Sequence, residues 1–143
     1  MNNSIDSLWH HYSETRFLLT QSLSCQLSFA IISAHNPLGT LLTPCQNRLL
    51  DRQLQSEIEK LHRPYRALVG AAADLTHMEK SWAVFIDREL AVELGRRFNQ
   101  NAIYYVEQGR LSLLPCIAAR DELKLGSFTE RVKLVTELPE LNG

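Results

Sequence analysis

The sequence contains no apolar run approaching the roughly 20 residues that a membrane helix needs, so no spanning segment is expected. Its start, Met1-Asn2-Asn3-Ser4-Ile5-Asp6, has neither the basic region nor the apolar stretch of a secretory signal, and a cytoplasmic protein is expected. Cysteine is sparse. Cys25, Cys45 and Cys116 are odd in number and far apart, which argues against a disulfide framework and a Cys-x-x-Cys site. They read as small buried or half-buried hydrophobes in a reducing compartment. An excess of one charge is also missing: the net charge of −1 leaves nothing to grip a nucleic-acid backbone along a broad face. His10, His11, His35, His62 and His77 show no His-x-x-x-His spacing, so neither a metal site nor a cofactor is expected. Glycine is scarce too, and Leu38-Gly39 is too little for a phosphate-cradling loop.

What remains is ordinary globular material. Over 143 residues, 45% are hydrophobic and 22% charged, enough for one domain spanning 1–143 with a sizeable core. Ser4 is placed to cap a short helix to about His11, with Ile5, Leu8, Trp9 and Tyr12 as its apolar stripe. Residues 17–20 read as a strand. The run 27–34 is apolar almost without alternation, which predicts a strand covered on both faces in the middle of a sheet. It stops at His35-Asn36-Pro37, since proline restricts the residue before it and cannot donate to a ladder. Thr43-Pro44-Cys45-Gln46 has the form of a capping box, so a helix is predicted from there until just before Pro64, burying Leu50, Leu54, Ile58 and Leu61.

Residues 65–71 and 81–86 then read as antiparallel strands across a short polar link. Asp87 caps a helix that buries Leu90, Ala91, Leu94 and Phe98, and strands 102–106 and 111–114 flank a turn at Gly109. The segment 117–143 is charged and weakly patterned, with Val132 and Leu134 alternating as in a short edge strand. The predicted architecture is α/β, close to α+β: a mixed sheet of about five to six strands, two main helices and a short N-terminal helix. The order strand, strand, helix occurs twice, over 17–61 and 65–98, without a shared motif.

Helix crossovers join parallel strands and short links join antiparallel ones. Strands 27–34 and 65–71 therefore run one way, and 81–86 and 102–106 the other. One rim of the sheet then collects His35, Asn36, Glu79, Lys80, Ser81, Gln100 and Asn101, together with the N-terminus of helix 44–61. Asn47 continues that helix's buried stripe with a polar side chain, and Arg48, Arg96 and Arg97 are expected nearby. Such a rim suits a carboxylate, a phosphate or a nucleotide tail. Glu79 then stands as a general base or as an ion-pair partner of Arg48, Arg96 or Arg97. Against this stands a plainer reading, in which Asn36 and Asn47 only satisfy loop backbone groups. Cys45, near a helix N-terminus, is a weak candidate nucleophile. Trp9, Trp82, Tyr104 and Tyr105 fall at core positions and read as packing.

Several segments together carry a family resemblance. They are Tyr12-Ser13-Glu14-Thr15, the stretch Phe29 to Pro37, Asn47-Arg48, Glu79-Lys80-Ser81, and Arg96 to Ile103. Over residues 8–115 the chain resembles a bacterial domain-of-unknown-function family, number 3293, leaving 117–143 as a C-terminal extension. The resemblance implies no named activity; its recurring polar positions map to Asn36, Asn47, Glu79, Gln100 and Asn101. The leading expectation is a domain that binds a small anionic or nucleotide-like ligand through Asn36, Asn47, Arg48, Arg97, Gln100 and Asn101, with catalysis left open. The alternative is a noncatalytic protein–protein interaction module using an edge strand or the tail. RNA binding through the arginines is the weaker third.

Overall fold

A computed structural model describes residues 5–24 and 26–141. The Ser4 cap and Cys25 lie outside the described residues. In chain order the elements are α1 (Ile5–Ser13), β1 (Arg16–Leu19), β2 (Phe29–Ile32), α2 (Pro44–Glu59), β3 (Tyr65–Ala71), β4 (Met78–Val84), α3 (Arg88–Arg97), β5 (Ala102–Glu107), β6 (Arg110–Pro115), β7 (Leu123–Ser127) and β8 (Val132–Leu134). One eight-stranded sheet runs in the order β7-β6-β5-β2-β4-β3-β1-β8. The class is the mixed α and β one read from the sequence, but the sheet exceeds five to six strands. Short β7, in the weakly patterned segment, carries no clean alternation and went unread.

The helix starts follow their local chemistry. Thr43 Oγ1 accepts from the backbone N–H of Gln46, and Gln46 Oε1 accepts from that of Thr43, so the capping box at α2 is reciprocal. Asp87 caps α3 by accepting from Leu90 N–H at 2.9 Å. The hairpin β3–β4 is antiparallel, with Ala71 opposite Met78, so β4 begins earlier than position 81 and takes in Glu79 and Lys80.

Helices α2 and α3 each return the chain to a strand of the same direction, as the crossover rule requires. Neither pair is adjacent, however: β4 lies between β2 and β3, and β2 lies between β4 and β5. The order strand, strand, helix is present twice, as β1-β2-α2 and β3-β4-α3, and in three dimensions β2-α2-β3 and β4-α3-β5 form two interleaved strand, helix, strand units. This interleaved βαββαβ unit is the ferredoxin-like arrangement. Both helices cover one face, where Leu54 and Ile58 of α2 and Ala91 and Leu94 of α3 meet Ile32, Trp82, Val84 and Ile103. Gly95 lets α3 sit close, since a Cβ there would come within 2.6 Å of Cys116 Sγ.

Neither α2 nor α3 covers the opposite face, yet it buries Phe17, Phe29, Ile31, Leu68, Leu111 and Phe128. The topology explains how. β7 and β8 are at opposite edges of the sheet and are joined through residues 128–131. A flat sheet would hold those edges about 34 Å apart at about 4.8 Å per strand, whereas the link reaches at most about 18 Å. The sheet must therefore curl until its edges approach. Phe128, at the start of that link, fills the closure with ring centroids 5.4 Å from Phe17 and 5.5 Å from Phe29. Phe128→Ala is expected to lower the unfolding free energy by about 3–5 kcal/mol in urea denaturation. A loss below about 1 kcal/mol would show that the closure does not depend on this ring.

Candidate functional site

Strand β2 ends at Ile32 and the chain leaves it through Ser33, Ala34, His35 and Asn36. Asn36 takes the left-handed conformation (φ 49°, ψ 62°), which asparagine tolerates better than most residues. Its backbone N–H donates to Asn47 Oδ1 at 2.9 Å, and Asn47 Nδ2 donates back to Asn36 Oδ1 at 3.0 Å. Asn36 Oδ1 also accepts from the Leu42 N–H at 3.0 Å, closing the loop between β2 and α2. Both amide oxygens are thus spent inside the protein. That agrees with the plainer reading of the pair, and it also fixes the shape of the surface beside it.

Asn36 Nδ2 donates to Glu79 Oε2 at 3.1 Å, and the same oxygen lies 3.0 Å from His77 Nε2. Because Glu79 is inside β4, it and Lys80 point to opposite faces. Lys80 goes to the helix side and pairs with Asp51 Oδ2 at 3.1 Å, while Asp51 Oδ1 accepts from Trp82 Nε1 at 2.9 Å. Asp51 is only 6% exposed, so a buried carboxylate is held by a cation and an indole. Among the described residues, Glu79 pairs with His77 and with none of Arg48, Arg96 or Arg97.

The remaining rim residues are spread out. Gln100 Nε2 donates to the carbonyls of His35 and Phe98 at 3.2 Å each, bracing the loop from behind. Asn101 is buried, and its Nδ2 donates to Tyr12 Oη at 3.4 Å. Arg97 pairs with Glu57 at 2.5 Å on the far side of α2, and Arg96 donates to the Cys116 carbonyl at 3.0 Å. Cys45 is exposed. Burial pushes the Cys116 thiol up to about 12. Trp9, Trp82 and Tyr105 are buried in the core.

What the fold does bring together is a groove of about 920 Å³ on the helix side, between α2 and the hairpin β3–β4. Asn36 and Asn47 sit at one end. Arg48 and Arg52, one helical turn apart, line α2's side, and Ala67, Val69, Met78, Leu41 and Leu42 supply apolar surface. Glu79, Arg97, Gln100 and Asn101 are not among its lining residues. Asp51, Arg52, His77 and Lys80 were not singled out as ligand-binding candidates in the sequence. The signal for the first two was the helical row: Asp51 follows Asn47, and Arg52 follows Arg48, by four positions. Among the described residues, no three of His, Cys, Asp and Glu converge to hold a metal ion.

Burial holds the His35 imidazole below its ordinary value of about 6.5, a depression partly opposed by Glu79. The hydrogen bond to Glu79 raises that of His77. The two therefore act oppositely on stability. The stabilisation from His77 is complete below about pH 6.5 and is lost as pH rises through its raised value. That from neutral His35 is complete above about pH 6.5 and is lost as pH falls through its lowered value. Glu79→Gln is expected to lower both imidazole midpoints in an NMR titration, and an unchanged His77 midpoint would contradict the pairing. Asn47→Ala, which strands the Asn36 N–H, is expected to cost about 1–3 kcal/mol by urea denaturation. Exposed Leu49→Ala on the same helix should stay within about 0.5 kcal/mol.

No curated protein and no solved structure matches the chain. The model of one family, described as "Protein of unknown function (DUF3293)", matches residues 32–103, from the last residue of β2 through α2, β3, β4 and α3 into β5. That stretch carries Asn36, Asn47, Arg48, Glu79, Gln100 and Asn101, and over half the chain's length it shows that the protein belongs to the DUF3293 family.

Proposed function

We propose that the groove between α2 and the β3–β4 hairpin binds a small anionic or nucleotide-like molecule, its charged part along Arg48 and Arg52 and its flat or apolar part over Val69, Met78 and Leu41. The observation that carries this reading is the state of the two arginines. Both line the groove, both are exposed, and among the described residues neither guanidinium enters a hydrogen bond or ion pair. Lys80 is committed to Asp51, so the uncommitted positive charge is concentrated on one turn of α2. A guanidinium pair is suited to a carboxylate or phosphate because each presents a planar fork of donors. A groove of this volume, part apolar and with few polar groups, falls within the range of small-molecule sites.

In this reading Asn36 and Asn47 form the rigid end wall. Gln100 and Asn101 act behind it as supports, and Arg97 holds α2 through Glu57. Glu79 sets the charge of His77 at the groove's edge. The cytoplasmic setting proposed for the protein is supported by the free thiols of Cys45 and Cys116. Among the described residues no helix is long and apolar enough to cross a membrane.

The test is a thermal-shift screen with inorganic pyrophosphate, ADP and a set of dicarboxylates, followed by titration calorimetry. A ligand of the native state raises the Tm by mass action. The Arg48→Ala/Arg52→Ala double variant is expected to weaken binding at least tenfold, in line with about 1.5–3 kcal/mol for a hydrogen bond to a charged group. Binding that the double variant leaves intact, or no shift with any compound, would reject the proposal.

A further inference from the structure

Residues from beyond β8 also line this groove: Leu138, Pro139, Glu140 and Leu141 share it with Arg48 and Arg52. Resting on the anion-binding reading above, we infer that this C-terminal segment is a displaceable strap, which closes over the groove and competes with its ligand.

Topology brings the strap there. β8 is the edge strand beyond β1 and β3, and its last tie to the body is the Val135 N–H donating to the Leu19 carbonyl at 2.8 Å. In the following residues Thr136 to Pro139, and at Leu141, the backbone enters no hydrogen bond among the described residues. Pro139 has no N–H to give. Leu138, Pro139 and Leu141 are half-buried there, while Glu137 and Glu140 are exposed. Partial burial with so little backbone pairing at 136–139 and 141 belongs to the low-stability end of a structure, where local opening is easy.

Its composition matches the site. The strap places leucines in a groove with apolar walls, and Glu140 lines the same groove as the two uncommitted arginines. It is an amphipathic anion, the same chemistry proposed for the ligand. Helix α2 reaches the start of β3, where the Tyr65 hydroxyl donates to Glu59 at 3.1 Å, and residues 138–141 complete the lining of the groove together with Ala67 and Val69 of β3. Any ligand filling the groove must meet the same surfaces, and its apparent affinity falls by the fraction of molecules in which the strap is open.

The experiment uses the full-length chain and its Leu138→Asp/Leu141→Asp variant, titrated with ADP and inorganic pyrophosphate by calorimetry. The wild-type backbone amides of Leu138, Glu140 and Leu141 are followed by NMR. The expected results are a five- to tenfold tighter affinity in the variant, and movement of the wild-type strap amides towards random-coil positions on saturation. Equal affinities in the two proteins, or strap amides that stay in place at saturation, would overturn the strap while leaving the groove reading intact. No binding in either protein would overturn both. Because the amides are read in the wild-type chain, the result does not hinge on how well the variant folds.

Discussion

The reciprocal amide pairing of Asn36 and Asn47 is the contact on which the arrangement of this rim depends. It ties the end of a central strand to the first turn of the helix that crosses over it, and spends both side-chain oxygens on that task. The pairing offsets the left-handed backbone at Asn36, a conformation that costs free energy in most residues. It also holds Asn36 Nδ2 where it reaches Glu79. Moving Asn47 by one position on α2 would rotate it about 100° around the helix and leave the Asn36 N–H unpaired.

From that tie the charges sort to two sides. Strand alternation sends Glu79 to the side of His77 and Lys80 to that of Asp51. A buried carboxylate therefore anchors the helix face through Trp82, while the neighbouring carboxylate sets the protonation of a histidine at the edge. Lys80 lies 4.6 Å above the Trp82 ring, so indole, ammonium and carboxylate form one unit between α2 and β4. The outer row of α2, Arg48 and Arg52, is left facing the groove.

The curled sheet is the second constraint. The four-residue link between its two edges forces a closure that an open βαββαβ unit does not have, and Phe17, Phe29 and Phe128 fill the space. β8 is brought beside β1 by the same closure, and residues 138–141, which follow it, line the groove. The C-terminal segment is thus part of the architecture that shapes the site, although it lies beyond the stretch matched by the family model.

Much of this was legible in the sequence because it rests on local chemistry. The capping box at Thr43, the Asp87 cap, the apolar run of β2 and the inward Asn47 each follow from neighbours within a few residues. Strand directions followed from the lengths of the links. The eight-strand count, the interleaving of β2 and β4, and the curl were decided by tertiary structure, because pairing between distant strands leaves no local mark. The rim likewise divided in three dimensions. Asn36, Asn47 and Glu79 met as the strand directions required, but Arg97, on α3, pairs with Glu57, which lies about half the circumference of α2 away from Arg48, so the two arginines share a rim without sharing a face. By itself the sequence determined which residues would reach this end of the sheet; packing decided which of them would face the same groove.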